Sequence, residues 1–205
     1  MLKLYGFPVP KYDLARSQEE AEHIANSIGY PTALKIASPD IIHKFDAGGV
    51  ELSLEDANDV KRAYSRIMER VKTSNPNAEI WGVNVEEMVP KGKETIIGMK
   101  RDPKFGPLIM FGLGGIYVEV MKDVTFRIAP ITEDAAEKMI KSIKAYKLLE
   151  GVRGEKPSDT TSLAECLERL SQMVTELPEI QEIDINPLVV FEKGCRALDA
   201  RILLS

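Results

Sequence analysis

Two short stretches near the C-terminus, EIDINPL and ALDARIL, set charged residues into otherwise apolar runs. Period-two alternation sends Ile183 and Ile185 to one side and Asp184 and Asn186 to the other, and places Asp199 and Arg201 opposite Leu198 and Ala200. A hairpin turning at about Glu192 to Cys195 then brings Asn186 and Asp199 nearly across from each other. Carboxylate and amide oxygens gathered there are hard donors. They suit Mg2+, which keeps open positions for water and nucleotide phosphates. The competing reading is a solvated hairpin face.

Other residues carry weaker signals. Lys35 is the single charge in TALKIA, so it either snorkels to the surface or meets an anion. The segment VNVEEMVPKGKE ends a strand in Glu86, Glu87, Met88 and Val89 before a proline-glycine turn to Glu94. It offers backbone groups to a purine edge and a carboxylate to a ribose, or it is an interdomain hinge. FGLGG, Phe111 to Gly115, reads as a phosphate cradle or as a tight turn. In VTFRIAP, Arg127 shares a face with Thr125, while Val124, Phe126 and Ile128 are expected to face the core. A guanidinium there suits a phosphate clamp or simply lies at the surface. His43, one of two histidines, sits in SPDIIHKFDAGGV on a loop ending in Gly48 and Gly49. By residue type alone it either fills a polar loop or does chemistry. His23 reads as part of a solvated helix face.

The elements that must hold these residues alternate along the chain. Ser17 and Glu20 form a capping box for a helix that stops at Gly29. The strands TALKIAS and GVELSL flank the His43 loop. Ser53 with Asp56 caps a long amphipathic helix to about Val71, and IWGVNVEEMV follows as a strand. Beyond it TIIGMK, PLIMFGL and YVEVMKDVTFRIAP read as an antiparallel meander. A helix from Thr132 to about Lys144 follows, then one opened by a Ser162–Glu165 capping box. EIDINPLVVF and RALDARILL close the chain as paired strands. The fold class is α+β, in two subdomains meeting near Pro90 with a cleft between them.

Composition excludes several functions. The chain has 205 residues, 44% hydrophobic content and a net charge of -5, with its basic residues scattered. That argues against a nucleic-acid partner. No apolar run approaches the ~20 residues that cross a bilayer, and no secretory pattern opens the chain, so the expectation is no membrane and a cytoplasmic location. Cys166 and Cys195 lie far apart without CxxC spacing and read as two reduced thiols rather than a disulfide or zinc site.

The stretches YGFPVP, LKIASPDIIHKFDAGGV, EEMVPKGKE, RDPKFGPLIMFGLGGIYVEVMKDVTFRIAP, GVRGE, DINPL and ALDARI together resemble the ATP-grasp (β) subunit of ADP-forming acetyl-CoA synthetases. The succinyl-CoA synthetase β subunit shares INPL and LDA but has a different glycine-rich loop without this histidine. The resemblance implies an ATP-grasp fold with subdomains 1–89 and 90–205 enclosing ATP or ADP. It implies Lys35 at the phosphates, Glu86 to Met88 at the adenine and Glu94 at the ribose, with the geometry of Glu86 to Val89 setting ADP against GDP preference. It further implies Mg2+ on Asn186 and Asp199 with Asp184 beside them, and Arg127 at the terminal phosphate.

The implied reaction takes acyl-CoA, phosphate and ADP reversibly to a free acid, CoA and ATP. An acyl phosphate forms on a CoA-binding α subunit, in an α2β2 heterotetramer or a fused equivalent, and phosphate travels to the ADP through a histidine that His43 matches. An imidazole, with an ordinary pKa of about 6.5, is largely neutral at cell pH and attacks phosphorus through its lone pair. Gly48 and Gly49 would let N–H groups approach phosphate, and Lys44 would offset charge. The family often carries serine at the position of Phe45, and an additional helix before YGFPVP. A regulatory ATP-grasp module that makes no ATP is the alternative, as is a succinyl-CoA synthetase-like β subunit. Loss of His43 or the metal ligands would favour the regulatory reading, and both are kept here.

Overall fold

The computed structural model describes residues 1–115 and 122–205. Contacts divide the chain into Pro10–Pro90 and a larger unit of Met1–Val9 with Lys91–Ser205.

In Pro10–Pro90, strands β1 (Tyr12–Ala15), β2 (Thr32–Ala37), β3 (Val50–Leu54) and β4 (Gly82–Glu87) form an antiparallel sheet in the order β1-β4-β2-β3. Helices α1 (Gln18–Ile28) and α2 (Ala57–Ser74) connect them. Val60, Ala63, Tyr64, Ile67 and Val71 of α2 recur at helical spacing and are buried with Leu34, Ile36, Val83 and Val85 of the sheet. Ser17 caps α1 by accepting the Glu20 amide. The reciprocal bond of the expected box is displaced, because the Glu20 carboxylate accepts from Arg16 instead of Ser17. Asp56 alone caps α2, accepting the Asp59 amide, while Ser53 lies within β3 at φ 57°.

In the larger unit, β5 (Lys93–Asp102), β6 (Gly106–Leu113), β7 (Val124–Ile128), β8 (Ile180–Val190) and β10 (Ala200–Leu204) run antiparallel in the order β10-β8-β5-β6-β7, with β9 (Cys195–Ala197) also on β8. The expected meander is present as β5-β6-β7; residues 117–121 of its third stretch lie outside the described residues. Helices α3 (Glu133–Lys141) and α4 (Thr160–Glu176) bury Met139, Ile140, Leu163, Leu167 and Leu170 against Ile97, Met99, Ile109, Phe111, Ile183 and Ile185. Asp159, not Ser162, caps α4: its carboxylate accepts from the Ser162 amide and also from the Gly194 amide at 2.7 Å.

The first nine residues depart from the 1–89 boundary read from the sequence. Phe7 is buried in the core of the larger unit, the Ala197 amide donates to the Pro8 carbonyl at 2.8 Å, and the Tyr5 hydroxyl donates to Glu176 at 2.9 Å. An apolar anchor and a strand-type hydrogen bond outweigh proximity along the chain.

Candidate functional site

Within Pro10–Pro90, Lys35 and Glu86 lie on the sheet face turned away from α1 and α2. Ala33 stands opposite Glu86 and Lys35 opposite Asn84, so Lys35 and Glu86 are diagonal neighbours on one face, while Leu34, Ile36, Val83 and Val85 serve the core on the other. Lys35 Nζ lies 2.7 Å from Glu86 Oε2, and both side chains are largely buried. The lone charge in TALKIA is therefore part of an ion pair. The Glu87 amide donates to the Lys11 carbonyl, and the Met88 amide to the Pro31 carbonyl. Those two donors are spent inside the unit, so Val89 supplies the next amide along the segment.

The His43 loop joins β2 to β3. Ile41 anchors it in the core, and a single helical turn follows, in which the Ala47 amide donates to the His43 carbonyl and the Gly49 amide to the Lys44 carbonyl. His43 itself is exposed, and Phe45 is 77% exposed beside it. The glycines have structural reasons to be there. Gly48 has φ +68°, and a Cβ on Gly49 would collide with Ile36 Cγ2 and lie 3.0 Å from the Lys44 carbonyl. Below the loop, Glu51 accepts two bonds from Arg66 and one from Arg70, and the Arg70 side chain underlies Gly48. The Arg66 hydrogen bond holds the Glu51 carboxyl below its usual range, with the charges of Arg66 and Arg70 adding to it and partial burial opposing it. Sequence reasoning missed this clamp; the signal available was an acid just past the glycines facing arginines four residues apart.

In the larger unit, Glu94 lies near the start of β5, exposed at its side chain. The glycine pair of FGLGG lies against it: the Gly114 amide donates to the Glu94 carbonyl at 2.8 Å, and a Cβ on Gly114 would stand 3.0 Å from Glu94 Cβ. These glycines permit a close approach of backbone to Glu94.

Asp184 pairs with Arg201 and with Gly98, on the sheet face opposite the helix-covered one. Between Ile185 and Leu188 the register shifts, so that Asn186 and Pro187 oppose Ile96 alone, a bulge that re-aims the strand. The Asn186 amide donates to the Asp199 carbonyl at 3.2 Å, so the structure brings these two residues together. Burial raises the Asp184 carboxyl above its usual value, reinforced by Glu182 and Asp199 and opposed by Arg201. No group of three His, Cys, Asp or Glu side chains fit to hold a metal occurs among the described residues. Two carboxylates and an amide oxygen fit a cation that completes its shell with water and phosphate, as Mg2+ does.

Arg127 requires a correction. It pairs with Ile109 and Thr125 with Phe111, both core residues, and Thr125 meets Ser142 at the end of α3. Arg127 and Thr125 therefore lie on the helix side of the sheet, while Phe126 and Ile128, 46% and 51% exposed, share the face of Asp184. The physical reason is that β7 is an edge strand: its apolar residues are not obliged to face a core. The Arg127 guanidinium donates to its own neighbour, the Phe126 carbonyl, at 2.7 Å. A surface pocket of about 560 Å³ opens along α4 beside Arg169 and Gln172 and contains none of these candidates.

This fold is that of an ATP-grasp domain. The chain belongs to the ATP-grasp domain family, whose model matches residues 1–204. It is 50% identical over its full length to the β subunit of acetate–CoA ligase [ADP-forming] I of Pyrococcus furiosus, covering 88% of that protein. It is 57% identical over 98% of its length to 4-hydroxybutyrate–CoA ligase [ADP-forming] of Nitrosopumilus maritimus, of which it spans 29%. The acetyl-coenzyme A synthetase 1 of Ca. Korarchaeum cryptofilum, solved with coenzyme A and Ca-AMPCP, superposes with a TM-score of 0.98 at 48% identity, covering 100% of this chain and 89% of that one. A structure of that synthetase with Mg-AMPPCP, whose phosphohistidine segment points towards the nucleotide-binding site, matches with a TM-score of 0.87 at 44% identity, covering 100% and 88%. The resemblance carried by the sequence motifs is met over the whole chain. Among the described residues no helix is long and apolar enough to cross a membrane.

Proposed function

We propose that this chain is the nucleotide-binding β subunit of a cytoplasmic ADP-forming acyl-CoA synthetase, turning over with a CoA-binding α subunit in a heterotetramer. The observation that carries the reading is His43: an exposed imidazole on the β2–β3 loop, in a chain matching the β subunit of Pyrococcus furiosus at 50% identity. In Pro10–Pro90, Lys35 meets the nucleotide phosphates and the Glu86 to Val89 segment the adenine, with the Val89 amide as donor. In the larger unit, Glu94 accepts from the ribose hydroxyls. Asp184, Asn186 and Asp199 hold Mg2+, which when bound neutralises phosphate charge.

In the direction of ATP synthesis, the His43 imidazole takes the phosphoryl group delivered by the partner. Its nitrogen lone pair forms the N–P bond as the bond to the donor breaks. A β-phosphate oxygen of ADP then attacks the same phosphorus, the N–P bond breaks, and its electron pair returns to the imidazole as ATP forms. A group that transfers by positioning and charge stabilisation asks little else of the loop. Exposure of His43 and of its neighbour Phe45 supports a loop that engages more than one site. Arg127, on the far face of its sheet from Asp184, is given no part in this transfer.

The test supplies the chain and its α partner with acyl-CoA, ADP, phosphate and Mg2+ and follows ATP. The His43→Ala variant is expected to bind ADP as the wild type does and to make ATP at least 10³-fold more slowly. ATP synthesis at the wild-type rate would overturn the role of His43.

A further inference from the structure

Two sulfur atoms set 29 residues apart meet inside the larger unit. Cys166 lies on α4, Cys195 opens β9, and their Sγ atoms are 3.4 Å apart. Both thiols are free and buried in the core that joins α4 to β8, and they are the only cysteines in the chain. A disulfide, at about 2.05 Å, lies an approach of about 1.4 Å away.

We propose that Cys166 and Cys195 are a reversible modification site, a dithiol that a hydroperoxide converts to an intrachain disulfide stapling α4 to the β8–β9 hairpin. Access comes through the turn before β9, where Glu192 and Lys193 are exposed. That turn is held by the Phe191 amide on the Gly194 carbonyl and the Gly194 amide on the Asp159 carboxylate. Opening these bonds uncovers Cys195 without unfolding α4.

Cys195, which follows the exposed turn at the start of β9, is the attacking sulfur, and Cys166 on α4 resolves it. The contact between the two sulfurs lowers the Cys195 thiol, while that contact together with burial pushes the Cys166 thiol up. The Cys195 thiolate attacks one peroxide oxygen. An S–O bond forms, the O–O bond breaks, and the departing oxygen leaves as water with the Cys195 proton. Cys166 then attacks the sulfenic sulfur: the S–S bond forms, the S–O bond breaks, and the hydroxyl leaves as a second water with the Cys166 proton. Each sulfur gives up one electron, and the peroxide accepts two. The bond closes on the hairpin whose continuation carries Asp199, so oxidation stiffens the strand pair that also holds Asn186.

The experiment treats the full reduced chain with stoichiometric hydrogen peroxide and reads intact mass, thiols titrated in denaturant, and Tm. Expected are a loss of about 2 Da, a fall from two titratable thiols to none, and a Tm raised by about 5 °C, all reversed by dithiothreitol. Cys195→Ser and Cys166→Ala should each fail to give the lighter species, so one suffices if the other does not fold. Masses that rise by whole oxygen atoms, or chains cross-linked to one another, in place of the 2 Da loss would overturn the proposal.

Discussion

Lys35 Nζ stands 2.7 Å from Glu86 Oε2 across the diagonal of β2 and β4, on the sheet face that the helices leave open. An anion approaching Lys35 would compete with this carboxylate. A double-mutant cycle with Lys35→Met and Glu86→Gln, read by urea denaturation, should give a coupling of about 1–3 kcal/mol. A value near zero would mean that the two charges act independently.

Glu51 governs how the His43 loop is anchored at its exit. Its carboxyl is held below the ordinary value, so its stabilisation is fully present above the unfolded-state value of about 4.3 and is lost as pH falls through the lower folded value. Glu51→Gln should therefore destabilise the chain at pH 7 and do so progressively less as the pH drops below the usual carboxylate range. Urea titrations across that range check it, and a penalty independent of pH would contradict it.

Some of this was legible and some was not, for identifiable reasons. The cap of α1 could be read from Ser17 because a side-chain cap is decided within four residues. At α2 and α4 several oxygen-bearing residues compete, and the winners, Asp56 and Asp159, were settled by strand geometry and by the Gly194 amide. The convergence of Asn186 and Asp199 followed from alternation; the bulge at Asn186 and Pro187 was not read, although Pro187, with no N–H to give the ladder of a central strand, is its local signature. Arg127 was assigned with its apolar neighbours turned to a core that an edge strand does not require. The meeting of Cys166 with Cys195, and of Phe7 with the larger unit, are long-range contacts that no spacing announces.

Gly49 tests the reading of the glycine pair. Gly49→Ala places a Cβ against the buried β-branched side chain of Ile36 and the backbone carbonyl of Lys44, and should cost about 1–3 kcal/mol in thermal or urea unfolding. An alanine tolerated there without loss would show that the loop is not held against β2.

The hard-donor set makes a prediction about metal. Asp199→Ala should weaken Mg–ADP binding by about 10- to 100-fold in calorimetric titration, while ADP binding in EDTA changes little. Equal loss with and without metal would remove Asp199 from the metal site.

The central claim is that His43 carries phosphate, and it is tested most directly by incubating the chain with γ-labelled ATP, Mg2+ and its α partner and mapping the label. The account predicts acid-labile, base-stable label on the peptide spanning Ser38 to Val50, absent from His43→Ala. Label confined to the partner, with wild-type and variant chains equally bare and equally active, would contradict it.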